Sequence, residues 1–124
     1  MRVLVSFLIF LLTGPVLAQN PTGPSARELQ DRCRPVLVSL QTGAVPKDEM
    51  FESGYCIGMF DAVFWQVGFD QVSAKNFKIC LPNGATRNDL IKIFMVFAEK
   101  RPEFMDDFYL PAVLASLQFM YPCK

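Results

Sequence analysis

The chain has 124 residues, with 12 basic and 12 acidic side chains, 52% hydrophobic residues, four cysteines and no histidine. Balanced charge with no basic block leaves nothing to neutralise a run of phosphates, which excludes nucleic acid as a partner. Without histidine the ordinary Ser/His and Cys/His nucleophile pairs are excluded, and the cysteines lack the close spacing of a thiolate zinc site. The expectation is a protein with no catalytic residues, no metal and no cofactor.

The first residues read as an export signal. Arg2 supplies positive charge, residues 3–12 are apolar except for Ser6, Gly14-Pro15 breaks the helix, and Val16-Leu17-Ala18 offers small residues for cleavage before Gln19. The apolar run is shorter than the roughly 20 residues that span a bilayer. Residues 1–18 are therefore expected to be a signal peptide, leaving an exported, periplasmic protein with no membrane anchor. Residues 19–24, with two prolines and a glycine, read as a disordered leader, and residues 25–124 as one small domain. An even cysteine count behind an export signal implies two disulfides in an oxidising compartment.

Punctuation in the sequence predicts about four helices. Ser25 and Glu28 fit a capping box, after which Leu29, Cys33, Leu37 and Leu40 recur at helical spacing. Pro35 lies inside this pattern, so the helix is kinked there or begins near Arg34; Gly43 and Pro46 end it. The second helix is predicted over residues 47–67. From Tyr55 it is apolar nearly all round, interrupted by Asp61 and Gln66, and such a helix must be enclosed on every side. Gly54, Gly58 and Ala62 form a ridge of small residues that permits close approach of another helix. Two readings fit: a dimer seam, or a central helix in the core of one subunit. Asp61, with no second carboxylate beside it, reads as a structural, hydrogen-bonded or salt-bridged residue.

Residues 68–79 read as a polar loop closing on a short extended piece, Phe77-Lys78-Ile79, and Pro82-Asn83-Gly84 as a turn. Thr86 caps the third helix with Asp89 as partner. Its buried face is predicted as Leu90, Ile91, Ile93, Phe94 and Phe97, and its outward face as Asn88, Lys92, Met95 and Glu99. Arg101-Pro102 ends it. After a turn or short helix over residues 103–110, Pro111 is placed to start the fourth helix, with Val113, Leu114, Leu117 and Met120 facing inward and Pro122 stopping it. Four cysteines allow three pairings. If the first two helices form a hairpin turning near residues 44–45, Cys33 and Cys56 are about equally far from the turn. Cys80 and Cys123 are likewise nearly equidistant from Pro102. The hairpin layout thus favours Cys33–Cys56 with Cys80–Cys123.

The stretch Gly54-Tyr55-Cys56-Ile57-Gly58-Met59-Phe60-Asp61 resembles a signature of the Rap/Tai family, the resistance-associated or type VI amidase immunity proteins of Gram-negative bacteria. Cys80-Leu81-Pro82-Asn83-Gly84-Ala85-Thr86, Arg101-Pro102-Glu103 and Tyr121-Pro122-Cys123 resemble its further landmarks, in the same order and spacing. The resemblance implies an all-α, disulfide-bonded periplasmic homodimer that binds a cell-wall amidase effector and blocks its active-site cleft. The phenylalanines (Phe60, Phe64, Phe94, Phe97) and Pro35 are this chain's local departures. An exposed surface with an apolar anchor is needed for such binding. On the predicted faces the candidates are Asn88, Lys92, Met95 and Glu99 of the third helix and the loop holding Asp70, Gln71, Lys75 and Asn76. Two other classes fit less well: a periplasmic acid-stress chaperone of the small disulfide-linked helical type, and a helical carrier for an apolar ligand.

Overall fold

The computed structural model describes residues 22–69 and 71–124, with the backbone alone at Gln71 and Ser73. Among these residues are five α-helices: α1 (Ala26–Thr42), α2 (Met50–Gly68), α3 (Gln71–Phe77), α4 (Arg87–Lys100) and α5 (Tyr109–Met120). Short 3-10 turns, Lys47–Glu49 and Pro102–Phe104, lead into α2 and out of α4. The described residues hold no strand, only the isolated bridges Ser25–Phe108 and Ile79–Pro122. The all-α, disulfide-bonded bundle expected from the sequence is what the chain forms. The predicted signal peptide lies outside the described residues, as do the first three residues of the predicted leader.

Helix α1 begins where its capping box directs. Ser25 Oγ accepts from the Glu28 amide at 3.2 Å, and the Glu28 carboxylate accepts from the Ser25 amide at 2.7 Å. Two more of the amides that a helix start leaves unpaired donate to the 105–107 segment: Ala26 N to the Asp107 carbonyl and Arg27 N to that of Met105. These bonds fix the start at Ala26 rather than near Arg34. The helix continues through Pro35, which is buried. One missing hydrogen bond does not outweigh a face that buries Leu29, Cys33 and Val36. Gly43, at φ 78°, takes the left-handed C-cap and donates to the Ser39 carbonyl.

Helix α1 packs on α2, α4 and α5, and α4 packs on α1, α2 and α5. The core is therefore the space that α4 closes over the α1–α2 hairpin. Phe60 and Phe94 meet there with ring centroids 5.6 Å apart, among the fully buried Leu29, Leu90, Ile91 and Leu117. Burying each such side chain contributes roughly 1.5–3 kcal/mol. Both disulfides have the pairing that the hairpin layout favours, Cys33–Cys56 and Cys80–Cys123.

Four local expectations are corrected. The segment read as a polar loop contains α3, only seven residues long. It packs on α2, and Gln118 Nε2 donates to the Phe77 carbonyl at its end at 2.8 Å. It closes in a Schellman arrangement: Ile79 N donates to the Ala74 carbonyl and Lys78 N to that of Lys75, with Lys78 at φ 54°. Helix α5 starts at Tyr109, so Pro111 is its third residue rather than its first. Met120, expected inward, is half exposed, because it is the last residue of a helix whose buried face runs through Val113, Ser116 and Leu117. Met95, expected outward, is buried. Helix α4 touches three other helices, so its covered arc is wider than a one-sided pattern allows and takes in Ile91, Met95 and Ala98.

Candidate functional site

All four cysteines are tied up in disulfides, and among the described residues no group of three or more His, Cys, Asp or Glu could hold a metal. Asp61 is paired with Arg87, whose Nη1 donates to both carboxylate oxygens at 3.2 Å. The candidate functional features are surfaces.

The first is the outer face of α2. Its inner face buries Ser53, Cys56, Phe60, Val63 and Val67, while Phe51, Gly54, Gly58, Ala62 and Trp65 are exposed in a line along the other side. A Cβ placed on Gly54 or Gly58 would meet no atom within 4 Å, so the small-residue ridge is not used inside the subunit. Trp65 stacks on Phe69 with centroids 4.3 Å apart, and both rings stay more than half exposed. The charged neighbours sit at the edges and are engaged: Asp61 with Arg87, and Glu52 with Arg32 at 3.5 Å. The line is also symmetric in sequence. Gly54 and Ala62 stand four residues either side of Gly58, and Phe51 and Trp65 seven. At 1.5 Å rise per residue, the outer pair lies about 10 Å from the centre in each direction.

The second is a groove between α4 and α5. It has a volume of about 290 Å³ and an apolar floor formed by Ile93, Val96, Phe97, Phe119 and Met120. Val96 and Met120 are half exposed and Phe119 is 77% exposed. Three cations line its edge, Lys92, Lys100 and Arg101. Arg101 lies over the rings of Phe97 and Phe104 and donates to Glu103. Lys92 and Lys100 form no ion pair among the described residues.

These surfaces hold only some of the residues singled out from the sequence. Lys92 is on the groove edge, and Glu99 is exposed on the same helix. Met95 is one position away, inside the core; Val96 takes the place expected of it. Asn88 is half-buried and accepts from Arg87 at 3.3 Å, which makes it part of the Asp61 cluster. Lys75 and Asn76 are exposed on α3, away from the groove lining; Asp70 lies outside the described residues, and Gln71 is placed by its backbone alone. Val96, Phe119 and Met120 were not anticipated. The spacing Lys92, Val96, Lys100 carries the signal, since lysines one turn either side of an apolar residue put it on a wet face.

The family model for Rap1a immunity proteins matches residues 25–123, from the α1 cap to the last cysteine. No curated protein and no solved structure matches the chain.

Proposed function

The chain belongs to the Rap1a immunity protein family, and from that premise we propose that it guards the periplasm against a peptidoglycan amidase delivered by type VI secretion. Membership suggests an antidote to a type VI effector, a protein that binds rather than catalyses. The finer reading is that it covers the amidase's active-site cleft. The observation that carries the immunity reading is the reach of the match, which takes in the five described helices and both disulfides. The disulfides suit an oxidising compartment, and cleft blocking asks only for buried anchors with a complementary rim.

The test is co-expression with a type VI amidase encoded beside this gene and directed to the periplasm. The full chain should restore growth, a version lacking residues 1–18 should not, and the purified protein should inhibit peptidoglycan cleavage in proportion to its amount. Failure of the exported chain to protect or inhibit would overturn the reading.

The active unit is read as a homodimer joined through the outer face of α2. Antiparallel pairing about Gly58 would set Phe51 opposite Trp65 of the partner subunit and Gly54 opposite Ala62 of the partner subunit. Large residues would then meet at the ends and small ones at the crossing, the self-complementarity that a two-fold interface requires.

A further inference from the structure

We infer that the α4–α5 groove is where the effector docks, and that it receives an apolar side chain carried on an acidic segment of that protein. This rests on the immunity reading above and adds to it the surface and the chemistry of its occupant. The groove, at about 290 Å³, lies at the lower limit of the roughly 300–1,000 Å³ typical of small-molecule clefts; it suits one or two side chains. Its floor is apolar, and Val96, Phe119 and Met120 stay exposed although α4 already packs on three helices. The charge at its edge selects the occupant. The whole chain has 12 basic and 12 acidic side chains, yet the groove lining holds no carboxylate and gathers Lys92 and Lys100, neither ion-paired among the described residues, beside Arg101, which is paired with Glu103. A second copy docked by a two-fold axis would set these cations against their own equivalents, a like-charge seam that costs affinity. A partner with carboxylates flanking an apolar anchor meets both the floor and the edge.

The experiment uses the exported protein and the amidase against which it protects. Val96→Asp and Phe119→Ser alter exposed side chains, so each variant should keep the helical signal and thermal midpoint of the parent. Calorimetric affinity for the amidase is expected to fall at least about thirtyfold for each, the threshold of an interface hot spot. Lys92→Glu combined with Lys100→Glu should slow association and remove most of its salt dependence, and this arm holds even if an apolar variant is unstable. Lys47→Glu, remote from the groove, should bind as the parent does. Unchanged affinity in both the apolar and the charge-reversed variants, with the parent still protective, would overturn the groove and leave the immunity reading standing. A parent that protects against no amidase would sink both. Groove variants that change subunit association instead would assign the surface to a second copy. Saturable decanoate binding without competition from the amidase would assign it to a free amphiphile. Either result would overturn the inference.

Discussion

Arg87, the first residue of α4, holds Asp61 near the middle of α2, with its Nη1 3.2 Å from each carboxylate oxygen. The pair ties two core helices together at the protein surface, and the same guanidinium donates to Asn88. Both side chains are partly exposed, 44% for Asp61 and 32% for Arg87. Solvent screening therefore limits the contribution. Asp61→Asn is expected to lower unfolding stability in urea by less than about 1 kcal/mol and to leave amidase inhibition unchanged. A loss of inhibition at unchanged stability would give Asp61 a role in binding.

The two disulfides should differ in what their loss does. Their sequence separations are 23 and 43, which in the chain-entropy account correspond to about 3.5 and 4 kcal/mol. Cys33 and Cys56 are fully buried between α1 and α2, whereas Cys80 is exposed and Cys123 half-buried near the chain end. Replacing Cys33 and Cys56 by serine adds two buried hydroxyls to the lost constraint, so this variant is expected to be the less stable. Replacing Cys80 and Cys123 should mainly free the last residues, read as faster exchange of the backbone amides at positions 80 and 123, which in the parent donate to the Tyr121 and Lys78 carbonyls. Equal midpoints for the two double variants would contradict the difference in burial.

The start of α4 is pH-sensitive through its cap. Asp89 accepts from Thr86 Oγ1 at 2.7 Å and from the Thr86 amide at 2.8 Å, and these bonds hold its carboxyl below the ordinary carboxylate value. A lowered folded-state value means the contribution is complete above about pH 4, the ordinary range for aspartate. It is then lost as pH falls through the lower folded value. Thr86→Ala should cost about 1 kcal/mol near neutral pH. Asp89→Asn should cost less, and its deficit against the parent should shrink on acidification below about pH 4. A deficit that stayed constant with pH would remove the charge from the explanation.

Where the sequence was legible, local chemistry and global packing agreed. Both capping boxes could be read from Ser25–Glu28 and Thr86–Asp89 because the residues that start the helix also satisfy its first amides. The cysteine pairing followed from hairpin geometry, which needs only turn positions. Met95 could not be placed, because a residue's burial on α4 depends on how many helices surround it and periodicity reports only one direction. Helix α3 was missed for a related reason. Two turns give too few residues for a period, and its support comes from Gln118, far along the chain. Of the groove residues, Met120 was hidden because it looks like core until α5 is seen to end there.

The proposed seam on α2 makes opposite predictions for two substitutions at one position. A side chain at Gly58 has open space within the subunit, so adding one does not overpack the core. Gly58→Ala should stabilise the isolated subunit by roughly 0.5–1 kcal/mol, the usual gain on replacing glycine inside a helix. Gly58→Glu should fold as well as the parent, since its carboxylate faces water in the monomer. In an antiparallel dimer about Gly58 the two new carboxylates would lie next to each other at the two-fold axis, desolvated and of like sign. The parent is therefore expected to run as a dimer in light scattering at micromolar concentration and the Gly58→Glu variant as a monomer with native helical content. Trp65 gives a second readout, because its exposed indole should become shielded on dimerisation and its fluorescence should track the mass change. A parent that is monomeric under these conditions would end the dimer proposal. A Gly58→Glu protein that stays dimeric would move the seam off this face of α2.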